Sequence, residues 1–136
     1  MSAYAKPLPP DDPSSRPFWE GARRGVVMLQ RCLDCGRHRF PGTRYCAQCR
    51  GSRSAWVESS GAGIVESFCT FHKAYWPGFA TDVPYDVVQV LLDERVRLFS
   101  NLVGVPRERI RLGMRVRASF EAVTPEVTLV KFAEAM

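Results

Sequence analysis

The C-terminal half of the chain alternates. In "MRVRASFEAV", Met114, Val116, Ala118 and Phe120 fall on one side and Arg115, Arg117, Ser119 and Glu121 on the other. A period of two sends successive side chains to opposite faces of a strand, so the first set is expected to face a core. "PYDVVQVLLDE" repeats the pattern with Val88, Val90 and Leu92. "VRLFSNLVG" follows at once, so Asp93, Glu94 and Arg95 read as a hairpin turn. "GIVESFCTFHKAY", rich in β-branched and aromatic residues, predicts an earlier strand, and "EVTLVKFAEA" a last one. Between the third and fourth strands, "PRERIRLG" suits one helical turn.

Five strands with a short helical turn between the third and fourth is the pattern of a five-stranded Greek-key barrel of the OB type, over residues 59–136. A generic small barrel or sandwich is the competing architecture. Upstream the period changes. Phe18, Trp19, Ala22 and Val26 lie at helical spacing, behind Ser14 or Ser15 as cap and with Glu20 a few residues on. Gly21 and Gly25 weaken this helix, which is expected over about residues 15–25 of an N-terminal segment 14–28. It has an aromatic face and no core beside it in the sequence, so it must pack on the body or on another subunit. Residues 1–13 are proline-rich and read as a disordered arm. "SSGAG", from Ser59 to Gly63, reads as a connector that separates a cysteine-bearing module, residues 29–58, from the strands.

The chain has 136 residues and is 46% hydrophobic, enough for one domain or a small module on a compact domain. No run approaches the roughly 20 apolar residues of a membrane span. The N-terminus has no apolar run of the signal-peptide type, so a cytoplasmic protein with reduced thiols is expected. A net charge of +5 raises the expectation of an anionic partner. Between Arg31 and Arg53 six arginines face a single acid, Asp34.

That basic stretch surrounds four of the five cysteines. Cys32 with Cys35, and Cys46 with Cys49, form two C-x-x-C pairs, with Gly36 and Gly51 placed to supply the open backbone angles of tight knuckles. Two knuckles give four thiolates in a tetrahedron, the usual cage for structural zinc; iron can occupy the same cage. With four thiolates no coordination position stays open for water or substrate, so the metal is expected to hold the fold and not to react. The cage then carries a formal charge of −2, which the arginines either compensate or leave to serve an anion or partner. Cys69, between Phe68 and Phe71, is expected to be a small buried hydrophobe. His72 lies three residues further along, on the opposite face of a strand, so the two make a poor catalytic pair. "HKAYWPGFATDVP" is a long inter-strand loop in which Lys73, Tyr75, Trp76 and Phe79 suit a binding surface, a lid on the barrel, or both.

Together, "PFWEG", "QRCLDCG", "WVESSGAGIVESF" and "LGMRVRASFE", in that order, resemble the DUF35 family over about residues 15–133. The resemblance implies a mainly β protein: a short N-terminal helix, a rubredoxin-like zinc ribbon held by Cys32, Cys35, Cys46 and Cys49, then an OB-fold domain. It implies a non-catalytic accessory subunit of an acyl-CoA-metabolising enzyme, such as a thiolase or aldolase or a MaoC-like hydratase. Such a subunit helps assemble the complex and form the acyl-CoA channel. Phe18, Trp19, Lys73, Tyr75, Trp76 and Phe79 are then the candidates for contact with the partner or acyl-CoA. A single-stranded nucleic-acid-binding module is the alternative, since both folds bind nucleic acids. Against it, the arginines concentrate at the metal, and Arg115 and Arg117 are interspersed with Glu121, Asp93 and Glu94. An independent enzyme has no nucleophile–base pair to support it.

Overall fold

The computed structural model describes residues 4–135. Residues 1–3 of the expected arm, and Met136, lie outside the described residues. Helix α1 (Arg16–Arg23) leads into strands β1 (Met28–Cys32), β2 (His38–Arg39) and β3 (Ser54–Glu58), which form an antiparallel sheet of order β2-β1-β3. The second sheet contains β4 (Ala62–Phe71), β5 (Tyr85–Leu92), β6 (Arg97–Ser100), β7 (Leu102–Val103), β8 (Arg115–Ala122) and β9 (Thr128–Glu134). Met28, expected at the end of the helical segment, opens the first strand.

The expected third strand is divided. Its first half, β6, pairs antiparallel with β5, with Phe99 opposite Gln89; its second half, β7, runs parallel to β9, with Leu102 opposite Phe132. Asn101, between the halves, accepts the Phe132 amide on its own carbonyl at 3.1 Å. The order β6-β5-β4-β8-β9-β7 therefore begins and ends on one broken strand, and the sheet closes into a barrel. Closure removes the open edge that a five-stranded sheet would otherwise present. Pro106 precedes a short 3-10 turn, Arg107–Arg109, where one helical turn is expected.

Alternation places the core as read. Val88, Val90, Leu92, Met114 and Val116 are buried, while Arg115 and Arg117 face outward. Each large side chain withdrawn from water here contributes roughly 1.5–3 kcal/mol. Phe18 needs no other subunit to cover it. Phe18, only 5% exposed, joins Val27 and Leu29 in the same hydrophobic cluster as the barrel residues Val90, Leu98 and Phe132. Its ring lies 4.5 Å from that of Phe40 and 5.0 Å from that of Trp19. Ser15 occupies the cap position but makes no side-chain cap bond; Asp12 instead accepts from the Ser14 amide and hydroxyl, at 3.0 and 2.8 Å. Gly61, in the connector, has a φ of +76°, a left-handed angle that glycine adopts without strain.

The described part of the arm, residues 4–13, has no helix or strand but does make contacts. Lys6 pairs with Asp82 at 2.5 Å, and Asp11 with Arg16 at 2.9 Å. Cys69 departs from expectation: it is exposed. The reason lies in the pairing of β4, which is bonded to β8 only through residues 62–64. A register shift between Val65 and Ser67 then carries Ser67–Phe71 away from the barrel, paired with β5 alone. No helix among the described residues is long and apolar enough to cross a membrane.

Candidate metal centre and partner face

The two C-x-x-C segments fold alike. In each, the first cysteine's carbonyl accepts from the residue four positions on, Gly36 to Cys32 at 2.9 Å and Arg50 to Cys46 at 2.8 Å. Its amide donates to the carbonyl five positions on, Arg37 and Gly51, both at 2.9 Å. The fourth-position residue must take a left-handed angle: Gly36 has a φ of 79° and Arg50 a φ of 65°. The second knuckle therefore turns on Arg50, not on Gly51 as expected. Gly51 has a different task, because a Cβ there would overlap the Asp34 carboxylate.

All four sulfurs lie within 4.8 Å of one another. Cys32 and Cys49 are 3.5 Å apart at Sγ, and Cys35 and Cys46 are 3.7 Å apart. A disulfide needs about 2.05 Å. A tetrahedron with metal–sulfur bonds of about 2.3 Å has sulfur–sulfur edges of about 3.8 Å, so the donor set fits a metal ion. The Gln48 and Gly51 amides point at Cys46 and Cys49 Sγ, each at 3.4 Å.

The electrostatics of the four sulfurs suit a cation at their centre. The amide of Cys35, with that of Asp34, pulls the Cys32 thiol down to about 6. The Cys49 and Gln48 amides lower Cys46. Against the lowering pull of the Gly51 amide, the Cys32 sulfur, burial and the Cys35 and Cys46 sulfurs push Cys49 up to about 12. Four thiols this close do not all ionise unless a cation joins them.

The basic stretch divides by partner. Arg53 donates to Asp34 at 3.0 and 2.5 Å, and its pKa is raised by Asp34 first and by the Cys32 charge as well. Its direct partner is thus the carboxylate beside the cage and not a sulfur. Arg39 turns inward, to Gln30 Oε1 at 2.6 Å and the Thr43 carbonyl at 3.1 Å. Arg31, Arg37, Arg44 and Arg50 form no ion pair among the described residues.

Two surfaces carry the contact candidates. Between α1, Phe40–Pro41 of the ribbon, β6 and β9 lies an apolar groove of about 510 Å³. Trp19 lines it, with Phe18 at its base and Phe99, 77% exposed, on the barrel side. The other surface is the β4–β5 loop, where Tyr75 and Trp76 are 72% and 50% exposed. Lys73 Nζ sits 5.0 Å from the Tyr75 ring centroid, and Phe79 turns inward to stack on Tyr85 at 5.2 Å. None of Lys73, Tyr75, Trp76 and Phe79 lines the Trp19 groove. Phe99 is the residue that the sequence reading passed over. The signal was present, since strict alternation through "RLFS" puts Leu98 inward and leaves a large aromatic facing water.

Family comparison matches residues 19–55 to the model "ChsH2, rubredoxin-like zinc ribbon domain" and residues 56–121 to "ChsH2, C-terminal OB-fold domain". A "DUF35 domain-containing scaffold protein" of Methanothermobacter thermautotrophicus is 30% identical over 97 residues, covering 71% of this chain and 72% of that one. This chain belongs to the DUF35 family. A solved structure titled "Ltp2-ChsH2(DUF35) aldolase" superposes on this DUF35 chain with a TM-score of 0.84 at 32% identity, covering 95% of this chain and 100% of the other. A "Probable enoyl-CoA hydratase alpha subunit" of Thermomonospora curvata is 36% identical to the DUF35 chain over 120 residues, which is 88% of this chain but 37% of that relative. The DUF35 chain thus spans little more than a third of the hydratase subunit it matches.

Proposed function

We propose that this chain is a non-catalytic accessory subunit of an acyl-CoA-metabolising enzyme, working in the reducing cytoplasm, with zinc held by Cys32, Cys35, Cys46 and Cys49. The observation that carries this reading is the likeness over 95% of the chain to the DUF35 component of an aldolase structure. The relative named as a hydratase alpha subunit extends the partner class to hydratases. Zinc crosslinks the two knuckles, and its four-thiolate shell leaves no position for substrate.

The chain's own geometry supports an assembly role. Trp19 and Phe99 frame an apolar groove, and the β4–β5 hairpin projects with Tyr75 and Trp76 outward. Large aromatics at such places are typical anchors of interfaces. Ser67–Phe71 also offers the partner a backbone edge that no strand covers among the described residues. The arginines without acidic partners suit the phosphates of acyl-CoA at the rim of the joint site. For catalysis, Cys69 and His72 are both exposed and make no mutual hydrogen bond among the described residues.

Turnover tests the reading. The purified chain is expected to leave acyl-CoA thioesters unchanged, and to raise the activity of its thiolase-like, aldolase or hydratase partner when the two are mixed. Turnover by the isolated chain that is lost on Cys69→Ser or His72→Ala contradicts it.

A further inference from the structure

Residues 4–7 run across the loop that joins β4 to β5. Lys6 Nζ meets Asp82 Oδ2 at 2.5 Å and lies 5.2 Å from the Phe79 ring centroid. The Ala5 carbonyl packs directly on Gly78, where any Cβ would overlap it. Gly78 does not have a left-handed φ, so its backbone angles do not demand glycine. The approach of the arm does. Tyr4, Lys6 and Pro7 line a groove of about 570 Å³ together with Tyr85 and Leu102.

The loop is placed where such a brace matters. Beyond Val65 the β4–β5 hairpin leaves β8, and past the Phe68–Val88 pair, the last that β6 accompanies, it continues as two strands, an arrangement marginally stable by itself. Its base is pinned at Asp86, which accepts from Thr70 Oγ1 at 2.6 Å and Arg107 Nε at 2.8 Å. Further out, Ala5 and Lys6 supply contacts to Gly78, Phe79 and Asp82 from outside the hairpin. With these contacts made, Phe79 faces inward on Tyr85 while Tyr75 and Trp76 face out.

We propose that residues 4–7 are a strap that fixes the aromatic loop in the conformation displaying Tyr75 and Trp76. The consequence for assembly rests on the docking role proposed above for that loop. Ordering a loop before contact removes that ordering from the free energy of docking, so the strap raises affinity without touching the partner.

Hydrogen exchange on the full chain alone tests the strap. Gly78→Ala inserts a methyl where the Ala5 carbonyl sits, and Lys6→Glu reverses one half of the ion pair. Each is expected to speed exchange at residues 74–82 by about tenfold while β8 and the zinc content stay unchanged. The double change Lys6→Glu with Asp82→Lys is expected to restore most of the protection. Unchanged loop exchange in both single variants overturns the strap. Partner affinity measured on the same variants separates the two claims. A loosened loop with weaker binding supports both, whereas a loosened loop with unaltered binding supports the strap and contradicts the docking role of the loop.

Discussion

Ser59 donates its hydroxyl to Glu94 Oε1 at 2.8 Å, joining the connector to the β5–β6 turn across 35 positions. The Ser60 amide donates to the other carboxylate oxygen at 2.9 Å. Burial alone would raise the Glu94 pKa, but these bonds outweigh it and hold the carboxyl below its ordinary value of 4.5. A depressed folded pKa stabilises above the unfolded value and is lost as pH falls through the folded one. The connector is therefore expected to loosen in acid, below about pH 4.5, and Glu94→Gln to remove that dependence at a cost of about 1 kcal/mol near neutral pH. Urea melts of both proteins between pH 3 and 7 check this.

Cys46→Ser is expected to abolish stoichiometric metal and to unfold the ribbon with it, because ligand binding energy is folding energy in such modules. Metal analysis with circular dichroism reads both. A metal-free, fully folded Cys46→Ser protein contradicts the structural role of the metal.

Arg50 carries the left-handed angle that Gly36 carries in the other knuckle. Left-handed backbone strains a residue with a Cβ and not glycine. Arg50→Gly is expected to stabilise the protein by about 0.5–1 kcal/mol, seen as a higher melting temperature of the metal-loaded chain.

Phe18 and Phe99 border one groove but differ in their task. Phe18→Ala empties a core site and is expected to cost about 3–5 kcal/mol of stability. Phe99→Ser removes an exposed ring and is expected to leave the melting temperature within a degree or two while weakening partner binding at least tenfold. Calorimetric titration beside thermal melts separates them.

The barrel was legible because its strands are buried on one side, so a period of two records the core directly: Val88, Val90, Leu92, Met114 and Val116. The four cysteines were legible because knuckle geometry is local. What escaped was set by long-range pairing. The break at Asn101 depends on β9, thirty residues away, and nothing in "LFSNLV" announces a parallel partner. The exposure of Cys69 follows from the point where β4 leaves β8, which composition does not encode. Phe18 lost its expected external cover because Phe40 and the barrel supply one internally. At residue 50, a tertiary cage holds an arginine in an angle for which glycine was expected one position later.

Co-purification tests the central claim most directly. The tagged chain, expressed in its native host and isolated at moderate salt, is expected to bring down an acyl-CoA enzyme of the thiolase, aldolase or hydratase class in fixed stoichiometry. Trp19→Ala is expected to weaken that complex without loss of bound metal. The contrary result is a chain that recovers no such enzyme and binds single-stranded oligonucleotides instead. Its log affinity would then fall steeply with log salt as several phosphate counterions are released.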